Sequence, residues 1–196
     1  MARADACRSF LHTGDRQARF EGAAVEALVA SADEVLLAIT DACRPVLEIA
    51  RRLGKRTWTD LHATDAARDY ERDFWAADRV FFSGEALDDP RLFMERLRAA
   101  GRQLVVCTRA EDGALALTAD GRWIEVPIVP VERIVDTNGA GDAFLAGVVF
   151  GELRGLPIER SLALAARVAA AAVQSADLAP GAIDAKGLLG DLVTAT

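Results

Sequence analysis

The sequence has only three cysteines and two histidines among its 196 residues, and no Cys-x-x-Cys pair. Cys7, Cys43 and Cys107 are far apart and odd in number, which excludes a disulfide scaffold and suits reduced thiols in a cytoplasm. Neither His12 nor His62 has a second ligand at metal spacing in the sequence. Both read as surface or structural residues, and no zinc centre is expected. Basic charge is not in excess: 23 Lys and Arg stand against 30 Asp and Glu, a net charge of −7. Without a basic stripe to neutralise phosphates, nucleic acid is not the expected partner. Long apolar runs are missing as well. Met1 to Cys7 is too polar for a signal peptide, and the alanine-rich stretch from Leu162 to Val173 is interrupted by Arg167, so no membrane span is expected. There is no internal repeat or low-complexity tract. There is also no Gly-Lys-Ser/Thr, so the chain carries no P-loop.

What remains is the composition of a soluble globular protein, 52% hydrophobic and 27% charged, long enough for one domain over residues 1–196. Cys7 to His12 and Gln17 to Phe20 flank a turn at Gly14-Asp15 and predict a small hairpin. Ala23 to Ala30 predicts a helix. Glu34 to Ile39 is a nearly continuous apolar run of strand length, as in a buried parallel strand. Val46, Leu47, Ile49, Ala50 and Leu53 mark a helical face that stops at Gly54. A strand at Arg56 to Leu61, a helix at Ala66 to Ala76, a strand at Arg79 to Phe82, a helix at Leu92 to Ala100 and a strand at Gln103 to Thr108 follow. Such alternation predicts an α/β fold with a mostly parallel sheet covered on both faces, and such sheets bind ligands at the C-terminal ends of their strands. Ala114 to Thr118 and Trp123 to Pro127 form a hairpin across Ala119-Asp120-Gly121. Helices at Leu162 to Val173 and Lys186 to Leu192, linked by Pro180-Gly181, close the order.

The stretch Asp136-Thr137-Asn138-Gly139-Ala140-Gly141-Asp142 is the most informative. Val131 to Val135 before it predicts a strand or extended segment. Phe144, Leu145, Val148 and Val149 after it mark a buried helix face, with Gly147 where close packing tolerates a missing side chain. The first turn of a helix presents N–H groups without intrahelical partners and partial positive charge, so it suits phosphate oxygens. Gly139 and Gly141 would let the main chain approach a ligand closely. Asp142 adds a carboxylate that can accept the proton of an attacking alcohol. The plainer reading is an N-cap at Asn138 or Asp136 and an acidic first turn. Phe144 breaks the dinucleotide fingerprint and disfavours a Rossmann-type oxidoreductase.

Together with Ala146-Gly147-Val148-Val149, this run resembles the C-terminal signature of the ribokinase/PfkB family of carbohydrate kinases. The resemblance implies a ribokinase-like three-layer α/β/α fold. It also implies Asp142 as catalytic base, the amides of Gly139, Ala140 and Gly141 as an anion hole, and Asp136 beside a monovalent cation such as K⁺. Thr108-Arg109-Ala110-Glu111-Asp112-Gly113 resembles the family's Thr-x-Gly-x-x-Gly segment, with Ala110 in place of the first glycine. This implies that Thr108, Arg109 and Gly113 lie along the ATP phosphates and ribose; a charged hairpin turn is the plain alternative. Glu85 matches the acidic end of the family's Asn-x-x-Glu segment, although Phe82 replaces the asparagine, and it reads equally as an organiser of water around Mg²⁺ or a solvated capping residue. Asp60, at a strand end near the same edge, reads first as a loop carboxylate. Ala169 to Val173 with Gly181-Ala182 resembles the adenine side.

The family's opening strands and its sugar-binding Gly-Gly-x-x-x-Asn segment are not seen upstream of the first hairpin, so the lid and first strands are expected to be largely missing, with residues 1–20 as a lid remnant. The resemblance implies a phosphotransferase using ATP and Mg²⁺ on a hydroxyl of a sugar, nucleoside or related small alcohol, and the cysteine usage suits a cytoplasmic one. A non-catalytic nucleotide-binding remnant is the alternative, and a homodimer through exposed lid remnants is compatible with both.

Overall fold

The computed structural model describes residues 22–177. The expected hairpin before residue 21, the Pro180-Gly181 link, Gly181-Ala182 and the helix from Lys186 to Leu192 lie outside the described residues. Six strands form one sheet: β1 (Glu34–Leu37), β2 (Arg56–Ala63), β3 (Arg79–Ser83), β4 (Leu104–Thr108), β5 (Ala114–Thr118) and β6 (Trp123–Val126). Their spatial order equals their chain order, with β1 to β4 parallel and β5 and β6 antiparallel. The helices are α1 (Gly22–Ser31), α2 (Arg44–Arg52), α3 (Pro90–Ala99), α4 (Ala140–Leu153) and α5 (Ile158–Val173).

Successive strand side chains point to opposite faces, and the pleat sorts the apolar residues into two cores. Val80, Phe82, Val105, Cys107, Leu115 and Leu117 join the α1, α2 and α3 side chains on one face. Trp58, Phe81, Leu104, Val106, Ala114 and Ala116 meet Phe144, Leu145 and Val148 of α4 and Leu162 and Ala165 of α5 on the other. The result is the expected three-layer arrangement. Each fully buried large apolar side chain contributes about 1.5–3 kcal/mol.

Helix α4 is seated at both ends. Gly147 and Gly151 allow its backbone to lie directly on Ala165 and Ser161 of α5. Near its C-terminus, Glu152 accepts from Arg79 at 2.7 Å and from Arg56 at 3.2 Å, with Arg79 stacked over Trp58. These contacts fix the direction in which the helix N-terminus points.

Three local expectations change. Residues 69–76 are 3₁₀ turns rather than part of an α-helix from Ala66. Ala66 sits at φ +58°, and the buried Glu71 carboxylate accepts from Thr64 Oγ1 at 2.6 Å and from Arg68, which closes the chain into a tight turn where a helix would start. Of the two readings of Val131 to Val135, strand or extended segment, the strand does not form: β6 ends at Val126, and the following Pro127 and Pro130 have no N–H for a ladder. Instead the N–H groups of Val135 and Asp136 donate to the Val173 carbonyl at 2.8 and 3.3 Å, tying this loop to the last turn of α5. Helix α5 itself begins at Ile158, directly after Pro157.

Candidate active site

The loop from Asp136 reaches α4 through two turns. Asp136 Oδ1 accepts from the Asn138 N–H at 2.8 Å, and the Ala140 N–H donates to the Thr137 carbonyl at 3.3 Å. Gly139 then caps the helix at φ +77°, in the left-handed region that glycine enters at no steric cost, and its carbonyl accepts the first helical bond from Ala143 at 2.8 Å. The N–H groups of Gly139, Gly141 and Asp142 find no acceptor among the described residues. The Ala140 amide, expected in the anion hole, is turned to Thr137 instead. A Cβ at Gly141 would meet no atom within 4 Å, so the helix start is open on that side.

Asp142 lies in the first turn of α4 and is exposed. Its carboxylate, that of Asp60 and an imidazole nitrogen of His62 all lie within 4.8 Å of one another. Asp60 Oδ1 accepts the His62 N–H at 2.7 Å and so holds His62 at φ +56°. Burial pushes the Asp60 carboxyl above the ordinary carboxylate range; His62 acts against that shift and the nearby Asp142 charge adds to it. The cluster adds to two sequence expectations: Asp60 lies beside Asp142, and His62, exposed as expected, has carboxylates within ligand distance. One signal is present in the chain: residues i and i+2 at the C-terminal end of a parallel strand share a face on the ligand-binding edge.

Further along this edge, Thr108 is the last residue of β4, in register with Ser83, the last of β3, which is in turn in register with Ala63 at the end of β2. The Thr108 hydroxyl donates to the Phe82 carbonyl at 3.4 Å. Ala110 adopts φ +49°, the conformation a glycine would supply, and Gly113 follows at φ +77°, where a Cβ would fall 2.1 Å from the Val126 carbonyl. The Arg109 guanidinium, expected near a phosphate, is already committed: it donates to Glu125 at 2.6 Å and to the carbonyls of Asp112 and Ala114 at 3.1 and 3.4 Å. Arg109 thus braces the turn that carries Thr108 and Gly113.

Glu85 follows β3 in a short 3₁₀ turn, exposed and without an ion pair among the described residues. Gly84 seats this turn on β4, since a Cβ there would lie 2.7 Å from Cys107 Sγ. Burial pushes the Cys107 thiol up to about 11, which leaves it unreactive. Mg²⁺ keeps most of its waters and takes few protein carboxylates, so the hard oxygen donors of Glu85 fit it. Asp136 is also exposed, with one oxygen engaged by Asn138.

A mostly parallel sheet between two helical layers, with a glycine-capped helix N-terminus and a carboxylate at its C-terminal edge, defines a ribokinase-like α/β fold. Residues 76–185 match the pfkB family carbohydrate kinases, and the chain belongs to that family. It is 35% identical over 192 residues to acarbose 7(IV)-phosphotransferase of Actinoplanes sp., a match covering 94% of this chain and 64% of that protein. It is 34% identical over 133 residues to cytidine kinase of Thermococcus kodakarensis, covering 60% of this chain and 47% of the relative. Among solved structures, the microbiome-derived acarbose kinase Mak1 superposes with a TM-score of 0.80 at 27% identity, over 96% of this chain and 63% of that one. Arabidopsis thaliana ribokinase, solved with ribose and ATP, shares the fold with a TM-score of 0.70 at 21% identity, over 84% of this chain and 57% of that one. The chain therefore spans just under two thirds of the length of the first of these relatives.

Proposed function

We propose that this chain supplies the nucleotide-binding edge and the catalytic base of an ATP-dependent phosphotransferase that moves the γ-phosphoryl group to a hydroxyl of a sugar, nucleoside or related small alcohol. The observation that carries this reading is the set of unpartnered N–H groups at Gly139, Gly141 and Asp142, with the Asp142 carboxylate on the same turn. In this mechanism Asp142 takes the proton of the acceptor hydroxyl as its oxygen attacks phosphorus in line. The amides at the start of α4 stabilise the charge on the transferring group, aided by the helix dipole. Ala140 shapes the turn. Thr108 and Gly113 lie along the nucleotide, on the turn braced by Arg109.

Glu85 would hold the water shell of Mg²⁺, which supplies charge neutralisation at the phosphates when bound. Asp136 would face a monovalent cation such as K⁺. The relatives' names favour an oligosaccharide such as acarbose or a nucleoside such as cytidine as acceptor. The free thiols Cys43 and Cys107 suit a cytoplasmic setting, and no helix among the described residues is long and apolar enough to cross a membrane. A homodimer of chains that each act as one domain completes the proposal; sedimentation checks it.

Release of ADP from Mg·ATP in the presence of acarbose, cytidine, ribose or fructose tests the activity. Acceptor-dependent release supports the kinase. Nucleotide binding without release on any acceptor would instead favour a nucleotide-binding module.

A further inference from the structure

His62 is held in a left-handed backbone conformation. Its backbone lies at φ +56°, in a region that L-residues seldom adopt, and the 2.7 Å bond from its N–H to Asp60 Oδ1 keeps it there. No core packing offsets the strain, because the side chain is 62% exposed. Strain of this kind persists where the surroundings over-determine it, and it gathers at functional sites. Here the strained turn carries the imidazole to within 4.8 Å of the Asp142 carboxylate, across from β2 to α4.

An acceptor hydroxyl that gives its proton to Asp142 must sit roughly 2.6–3.2 Å from that carboxylate. A position so close to Asp142 is within reach of a group 4.8 Å or less from it. The two aspartates, when ionised, can only accept hydrogen bonds, whereas an imidazole N–H can donate. A hydroxyl oxygen has one hydrogen and two lone pairs: the hydrogen goes to Asp142, one lone pair receives the imidazole N–H, and the other remains for phosphorus.

We propose that His62 is a substrate-contacting residue whose imidazole hydrogen-bonds the acceptor hydroxyl that Asp142 deprotonates, while Asp60 acts as the positioning residue that turns His62 towards it. This rests on the reading of Asp142 as base.

The test compares the full chain with His62→Ala, His62→Gln, His62→Gly and Asp142→Asn, using Mg·ATP with acarbose, cytidine, ribose and fructose. His62→Ala is expected to raise the acceptor KM about tenfold, the size of one lost hydrogen bond, without changing the KM for ATP. His62→Gln, which keeps an N–H donor, is expected to recover part of the loss. His62→Gly relieves the backbone strain, so it should melt no lower than the wild type and yet lose acceptor affinity as the alanine variant does. Unchanged acceptor KM values in both the alanine and glycine variants would overturn the proposal.

A second measurement does not depend on turnover. His12 and His62 are the only histidines, so two sets of imidazole proton signals suffice, and the His62→Gln spectrum identifies which set is His62. Movement of the His62 signals on adding one of the acceptors to the Mg·ATP-saturated protein supports the contact, and no movement with any acceptor overturns it. Full turnover in Asp142→Asn would remove the base reading and this inference with it, whereas silent His62 variants beside an inactive Asp142→Asn would remove this inference alone.

Discussion

Gly147 of α4 lies so close to Ala165 of α5 that a Cβ on the glycine would come 2.6 Å from the Ala165 Cα. That contact belongs to backbone, which cannot rotate away. Gly147→Ala is therefore expected to force the helices apart and destabilise the fold by about 1–3 kcal/mol, as overpacking does. Denaturant unfolding of the variant checks this, and the displaced helix should also misplace Asp142 and lower any turnover.

Gly141, on the same helix, predicts the opposite pairing of effects. Its backbone is helical, and a Cβ there would find no atom within 4 Å. Gly141→Ala should stabilise the protein by about 0.5–1 kcal/mol through helix propensity alone. The added methyl would stand on the same turn as the unpartnered amides, and on the proposed anion-hole reading affinity for Mg·ATP should fall. Calorimetric titration beside a thermal melt reads both; a variant that is stabilised and binds nucleotide normally would mean the glycine has no ligand-facing role.

The turn after β4 gives a matched pair. Ala110 sits at φ +49°, so Ala110→Gly is expected to stabilise by up to about 1 kcal/mol as the left-handed strain is removed. Gly113 at φ +77° faces the Val126 carbonyl, and Gly113→Ala should cost more than about 2 kcal/mol, since it adds both strain and a backbone clash. Urea unfolding of the two variants orders them.

Asp60 predicts a pH dependence. Its carboxyl is raised above the ordinary aspartate value, chiefly by burial, so the folded state holds the proton more tightly than the unfolded chain does. The stability from this group is present at low pH and is lost as pH rises through the raised value. Asp60→Asn keeps an oxygen for the His62 N–H but carries no charge to desolvate. It should therefore be more stable than the wild type at neutral pH, with the difference shrinking on acidification towards the ordinary aspartate range. A difference that grows on acidification would contradict the sign.

Much of the fold is legible in the chain because it is encoded locally. The run of Val80, Phe81 and Phe82 announces a strand buried on both faces, and Gly139 to Asp142 announces a glycine-capped helix start whatever lies around it. Beyond the i, i+2 spacing of Asp60 and His62, the cluster with Asp142 is not legible, because it joins the end of β2 to the start of α4 across about eighty residues of chain and depends on a left-handed turn at His62. The 3₁₀ turns at residues 69–76 are hidden for a related reason: the burial of Glu71 against Thr64 overrides a helical pattern. The bracing role of Arg109 is equally out of reach, because its partner Glu125 sits on β6, sixteen residues further along the chain.

The most direct test of the central claim is phosphoryl transfer from Mg·ATP to the acceptor panel by the wild type and by Asp142→Asn, with nucleotide affinity measured in parallel. The account predicts turnover in the wild type, a loss of roughly 10²–10⁴-fold in the variant and an affinity for Mg·ATP that is largely kept. Turnover that survives in Asp142→Asn would contradict it.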